Sequence, residues 1–266
     1  MLLAVEVGNT NIKFGLFEQE GAAAGTLVHT WRSATNPQQT GDDLAALVDG
    51  MLRVHNVPRT SVKRVVVSSV VPPLYRALTQ MAERYFDCKP QFLSAARQTL
   101  VPVKTRHAGE LGADLIAGAI GAVMKYGAPA IVVQFGTATT FAAVNDKGEY
   151  LGTAIAPGVE VSVDGLIGRA AKLMSVPLVR PPAAIGVDTP TSLQSGIILG
   201  FVGQVEHLVA LFRKELGSNA RAVATGGLAD LIAPHTNVFE VRDERLVLDG
   251  LYHWATAATK AKTAKT

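Results

Sequence analysis

The stretch Glu6-Val7-Gly8-Asn9-Thr10 lines up with Gln134-Phe135-Gly136-Thr137-Ala138 at a constant offset, residue 6 matching 134 and residue 8 matching 136. Each copy follows one apolar run (LLAVEV, AIVVQF) and precedes another (KFGLF, TTFAAV). Each also places a polar side chain two residues before a glycine, with hydroxyl or amide residues just after it. A repeat this widely spaced is a whole half-molecule, not a solenoid unit. The pattern therefore predicts an α/β chain of two βββαβα-like halves facing a central cleft, with both corners directed into it. Interfaces of that kind are where ligands usually bind.

Along the first half, LLAVEV and KFGLFE read as a hairpin around the Gly-Asn-Thr corner, and TLVHTWRS as a third strand. TGDDLAALVDGMLRVHNV has helical periodicity, with Thr40 as N-cap and two acids in the first turn. VKRVVVSSVVPPL is a buried strand, and Pro72-Pro73 turns it into the helix LYRALTQMAERYF. A small-residue helix in ELGADLIAGAIGAVMKYG follows, and then the strand, corner, strand, turn, strand pattern begins again. The expected division is residues 1–110 as the first half, 111–127 as a connecting helix, 128–256 as the second half and 257–266 as a flexible tail.

Composition narrows the class. The chain is 48% hydrophobic and 18% charged, which excludes global disorder. A net charge of +3 without a basic cluster gives no case for nucleic acid. Cys88 is the single cysteine, so no internal disulfide forms, and the scattered histidines suggest no structural zinc site. With no signal-like start and no apolar run of roughly 18 residues, the chain is expected to be cytoplasmic and not to engage a membrane. The C-terminal ATAATKAKTAKT reads as a solvated tail.

A glycine in a tight corner lets backbone approach a ligand closely. At the first corner, Gly8 with Asn9 and Thr10 makes a concavity suited to phosphate oxygens. Lys13 adds a positive charge beside it. A carboxylate at Glu6 is wrong for phosphate itself but right for a hydrated Mg²⁺ bridging phosphates. The bland alternative is an ordinary hairpin with a solvated Glu and Lys. RAVATGGLADLI adds a buried strand followed by Gly226 and Gly227 at a helix start, a further place for a nucleotide to approach backbone. Neither GxxxxGK[ST] nor GxGxxG occurs. Asp114, at the start of its helix, is the candidate general base; alternatively it is only a first-turn acid that favours the helix by a few tenths of a kcal/mol.

Taken together, GNTNIKFGLF, VVVSSVVPPL, LGADL, FGTATTF, GTAIAPGVEVSVDGL, DTPTSLQSGIILGFVG and TGGLADLI resemble, in order, the motifs of the type III pantothenate kinases. These belong to the acetate kinase/Hsp70/actin-like superfamily. The resemblance implies duplicated actin-like (ribonuclease H-like) halves and a homodimer. It implies phosphorylation of pantothenate by ATP with Mg²⁺, as the first step toward coenzyme A, and a monovalent cation, K⁺ or NH₄⁺. Residue by residue, it implies that Gly8, Asn9, Thr10 and Lys13 hold ATP phosphates together with Thr137. Asp114 would take the proton of the pantothenate hydroxyl. Gly112 and Ala113 would lie along the substrate, and Thr189 would touch it. Phosphoryl transfer is largely positioning and charge neutralisation, which these parts can supply.

The chain departs from that family pattern at four points. Glu6 replaces Asp and is longer by roughly 1.5 Å. Leu115 stands where the GxDR motif ends in arginine, and no neighbour in sequence supplies a bidentate fork. Gln134 replaces the cation-binding Asp, and Thr105 replaces an aromatic residue. Loss of one preorganised donor typically costs about 10² to 10³ in rate. The departures therefore raise a second reading, a ligand-binding or regulatory member with weakened catalysis, and leave room for a kinase acting on another small hydroxylated substrate.

Overall fold

The computed structural model describes residues 1–170 and 173–263, arranged as two compact units. One comprises residues 1–124 with the chain from Leu246 onward; the other is Lys125–Arg245.

In the first unit, β1 (Leu2–Val7) is the middle strand of the order β3-β2-β1-β4-β5. β2 (Asn11–Phe17) and β3 (Leu27–Ala34) run antiparallel to their neighbours, whereas β4 (Arg64–Ser69) and β5 (Gln91–Phe92) run parallel. All six residues of β1 are buried, as expected for a strand covered on both faces. On one face Leu3, Val5 and Val7 pack with Leu44, Val48 and Leu52 of α1 (Gly41–Val54) and with Leu78 and Met81 of α2 (Leu74–Tyr85). Thr40 caps α1 in a reciprocal capping box with Asp43, a device worth about 1 kcal/mol.

The opposite face is covered by the C-terminal helix α8 (Leu246–Thr263). Leu248 packs against Gly15, Tyr252 stacks on Phe17 with ring centroids 4.8 Å apart, and the Arg64 guanidinium donates to the Ala255 carbonyl at 2.9 Å. α3 (Ala113–Tyr126) lies against α8 at two glycines: a Cβ on Gly121 would overlap the Leu246 carbonyl oxygen, and one on Gly250 the Ala117 carbonyl oxygen.

This packing changes the division expected from sequence. Residues 246–256, assigned to the second half, belong with the first, because their apolar face completes the first sheet. The helix also runs through Thr263 rather than dissolving into a tail at 257; residues 264–266 lie outside the described residues.

The second unit repeats the topology. β6 (Ala130–Phe135), β7 (Ala138–Val144), β8 (Tyr150–Pro157), β9 (Arg221–Thr225) and β10 (Val241–Arg242) follow the order β10-β9-β6-β7-β8, so that β6 takes the place of β1. The single helix α1 is replaced by α4 (Val159–Ile167), α5 (Thr189–Gln194), a π turn (Ser195–Leu199) and α6 (Gly200–Leu216). The last three form one helix, Thr189–Leu216, which by length and composition alone is long and apolar enough to cross a membrane. Its Leu193, Ile197, Ile198, Val202, Val205 and Val209 line this unit's core.

The repeat slips by one residue past the corner. Val7 pairs with Ile12 across the first corner, but Phe135 pairs with Thr139 across the second. The second corner is therefore one residue shorter, and the structural counterpart of Lys13 is Thr140. Near the end of this unit, Lys125 and Tyr126 both donate to the buried Asp243 carboxylate, at 2.5 and 2.7 Å. Burial pushes that carboxyl up, but these hydrogen bonds outweigh it and hold the group below its ordinary range.

Candidate active site

The first corner is a four-residue link whose backbone closes on itself. The Gly8 N–H donates to the Asn11 carbonyl at 3.0 Å, leaving Asn9 and Thr10 exposed at the tip. The end of β3 is stapled to it: the Thr35 hydroxyl donates to the Gly8 carbonyl at 2.7 Å and the Thr35 N–H to the Thr10 carbonyl at 2.9 Å.

Sheet register then assembles a row that no local pattern contains. Glu6 is directly opposite Lys13 on β2 and beside Ser68 on β4, and Lys13 is opposite Arg32 on β3. Directly paired residues share a face of the sheet. Arg32, Lys13, Glu6 and Ser68 thus form one polar line behind the corner, on the face opposite the α1/α2 core. The Lys13 Nζ stands 3.5 Å from the Glu6 Oε2, and Glu6 is only 8% exposed. Ser68 is fully buried, and among the described residues its hydroxyl has no hydrogen-bond partner.

Burial pushes the Glu6 carboxyl above its ordinary value of 4.5; the Lys13 ammonium opposes that shift, the charge of Asp114 adds to it, and Arg32 opposes it more weakly. Asp114, in the first turn of α3, therefore acts on the same carboxylate that backs the phosphate-type corner. Its Oδ1 folds over Gly112, so closely that a Cβ there would approach it to 2.5 Å. The Gly112 carbonyl accepts from Ile116 N–H at 3.3 Å, opening the helix.

A folded-state pKa above the unfolded value has a definite consequence for stability. The folded protein holds the Glu6 proton more tightly, so this group's contribution is most favourable below about 4.5 and is lost as pH rises through its raised value. Glu6→Gln is therefore expected to gain in melting temperature relative to the unaltered chain as pH increases from 4 toward 8, in the absence of nucleotide and Mg²⁺. A difference that stays flat with pH would contradict the assignment.

Among the described residues no group of three or more His, Cys, Asp or Glu could cage a metal by itself. Among the described residues the Glu6 Oε2 accepts no well-formed hydrogen bond, only the Lys13 ammonium standing 3.5 Å away, and it lies in the field of a second carboxylate. That donor set fits Mg²⁺ held by one or two carboxylates and completed by phosphates and water.

In the second unit the corresponding row is Ile155, Thr140, Gln134 and Thr225, which carries no charge. The corner at Gly136-Thr137 is closed by Gly136 N–H donating to Ala138, and Gly158 N–H donates to the Thr137 carbonyl, both at 3.0 Å. Gly158 has no room for a Cβ against Gly136 and Thr137. Gly226, with φ of 97°, lets its strand end pass over the backbone of Phe135; Gly227 is exposed. The helix after them, α7 (Ala229–Ile232), is a single turn. Thr189 is exposed at the start of α5, where Asp188 caps the helix through Thr191. Leu115 is half-buried, and the hydroxyl of Thr105 is buried with no hydrogen-bond partner among the described residues.

The structure thus brings Glu6, Gly8, Lys13 and Asp114 to one end of the first sheet. Thr137, Gly226 and Gly227 lie at the matching end of the second, where β6 and β9 finish. Arg32 and Ser68 were missed from sequence. The only signal for Ser68 was a polar pair in the otherwise apolar VVVSSVV, and Arg32 looked like any outward residue of an edge strand. The sequence offered no guanidinium near Glu6; the fold supplies one from β3.

A profile of the type III pantothenate kinases matches residues 2–211. A type III pantothenate kinase of Moorella thermoacetica is 43% identical over 251 residues, covering 94% of this chain and 97% of that relative. Among solved structures, a protein described as a Baf family transcriptional activator from Campylobacter jejuni superposes with a TM-score of 0.59 at 17% identity, covering 97% of this chain and 99% of that one. The activator of 2-hydroxyisocaproyl-CoA dehydratase from Clostridium difficile, solved with bound ADPNP, gives 0.53 at 12% identity, covering 99% and 96%. At such identities the structural likeness speaks for the actin-like fold alone.

Proposed function

The chain belongs to the type III pantothenate kinase family, and from that premise we propose how its own residues divide the work. The reaction is the ATP-dependent phosphorylation of pantothenate to 4′-phosphopantothenate in coenzyme A biosynthesis. The observation that supports our assignment is the placement of Asp114 within electrostatic reach of Glu6, behind the Gly8 corner.

In this reading Gly8, Asn9, Thr10 and Lys13 hold phosphate oxygens of ATP, joined by Thr137, while Gly226 and Gly227 admit the nucleotide to the backbone. Gly112 and Ala113 line the pantothenate, and Thr189 contacts it. Asp114 accepts the proton of the pantothenate hydroxyl as its oxygen bonds to the γ-phosphorus; the bond from that phosphorus to the β,γ-bridging oxygen breaks, and ADP leaves with the electron pair. Glu6 would hold Mg²⁺, which would supply charge neutralisation to the phosphates. The enzyme is read as a cytoplasmic homodimer that engages neither nucleic acid nor membrane.

Gln134 sets the monovalent cation expectation. It keeps an oxygen but no charge, and its register neighbours Thr140 and Thr225 are neutral as well. K⁺ or NH₄⁺ is therefore expected to stimulate by less than about tenfold, the effect of roughly 1.4 kcal/mol. Gln134→Asp should deepen that dependence.

The deciding experiment measures ADP release with pantothenate, Mg²⁺-ATP and K⁺, NH₄⁺ or neither. Release that does not depend on pantothenate under any of these conditions would overturn the reading. The alternative of a ligand-binding member without catalysis has no observation of its own in its favour.

A further inference from the structure

Arg32 has no role in the assignment above. It is exposed on the edge strand β3 and, among the described residues, makes neither a hydrogen bond nor an ion pair. Yet it is held in place: it is paired directly with Lys13, and the end of its strand is tied to the corner through both polar groups of Thr35. Like charges directly opposite one another on adjacent strands repel and are ordinarily destabilising. Here the only carboxylate within the row is Glu6, and Lys13 already stands against it. Two cations on one face, next to a turn that exposes Asn9 and Thr10, thus share the one carboxylate of the row: Glu6 pairs with Lys13 and feels Arg32 only weakly.

We propose that Arg32 is a phosphate-contacting residue of the ATP site, its guanidinium and the Lys13 ammonium taking neighbouring oxygens of the same polyphosphate. This rests on the reading of the Gly8 corner as the triphosphate site. Side chains paired across two strands have Cβ atoms only about 4.5–5.5 Å apart, so both cations reach one polyphosphate chain. The division of labour follows from their chemistry. Lysine is a compact point charge, whereas the arginine fork can bind two phosphate oxygens at once. With Arg32 on the phosphates, Lys13 can exchange Glu6 for a phosphate oxygen, and the carboxylate becomes available to the metal.

The test compares steady-state kinetics of Arg32→Gln, Arg32→Lys and Lys13→Met with the unaltered enzyme, varying ATP and pantothenate separately. Thermal melts verify that each variant is folded. Arg32→Gln is expected to lower kcat/KM for ATP by about 10- to 100-fold, somewhat below the loss of a fully buried donor because the site is open. The KM for pantothenate should stay within about twofold, and Arg32→Lys should recover part of the loss by restoring charge without the fork. An Arg32→Gln enzyme with unchanged kcat/KM for ATP, while Lys13→Met is severely impaired, would overturn the proposal and leave the corner reading intact. A rise confined to the pantothenate KM would overturn it too. If Lys13→Met itself leaves the ATP parameters unchanged, the corner reading fails, and the role of Arg32 fails with it.

Discussion

Asp114→Asn is expected to reduce pantothenate-dependent ADP release by about 10²- to 10⁴-fold, the usual worth of a positioned general base. The amide is nearly isosteric and keeps an acceptor oxygen beside Gly112, so α3 should start as before. It cannot take up the hydroxyl proton. As a first-turn acid Asp114 contributes only a few tenths of a kcal/mol to its helix, so the melting temperature should hardly move. A large kinetic loss with unchanged stability separates the catalytic role from the capping role. A second readout follows from the field of Asp114 on Glu6. That charge helps raise the Glu6 carboxyl, so its removal should bring the Glu6 titration back toward the ordinary value. A variant retaining turnover within tenfold of the parent would remove Asp114 from the mechanism.

Gly250→Ala is expected to damage both stability and catalysis, although residue 250 lies far from Asp114 along the chain. The added Cβ would overlap the Ala117 carbonyl oxygen, a backbone atom that no rotamer change can move aside. Overpacking of this kind costs about 1–3 kcal/mol, or a fall of roughly 2–12 °C at the sensitivity usual for a domain of this size. The helices must separate to relieve it, and α3 carries Asp114 one turn before Ala117. Displacement of a reacting group by about 1 Å can cost on the order of 10² in rate. The control is Gly50→Ala on the exposed face of α1, where a new Cβ meets nothing within 4 Å. It should leave turnover unchanged and gain slightly in stability, about 0.5–1 kcal/mol, since alanine favours a helix over glycine. Gly250→Ala melting and turning over like the parent would show that this helix pair is looser than described.

These two residues mark different limits of legibility. Asp114 could be proposed from sequence because its surroundings announce a helix start, and a carboxylate there is unusual in an otherwise small, apolar segment. Gly250 could not, because its need for glycine arises from a helix more than a hundred residues earlier. The four departures divide in the same way. Leu115 suggested a missing cation, whereas the fold places Arg32 on the line of Lys13 and Glu6.

By itself, the sequence determined what is written in near neighbours: the strand–corner–strand units, the Thr40 cap, the Asp114 helix start and the duplication that relates β1 to β6. Alternation of period two and the helical period express burial along a single segment, so they survive without any partner. The tertiary structure alone decided which residues meet across segments. It set the Arg32–Lys13–Glu6–Ser68 row, the return of α8 onto the first sheet, the shortened second corner and the glycines at helix crossings. Those contacts depend on strand register and interhelical distance, and a shift of one residue in register would turn the whole row to the other face of the sheet.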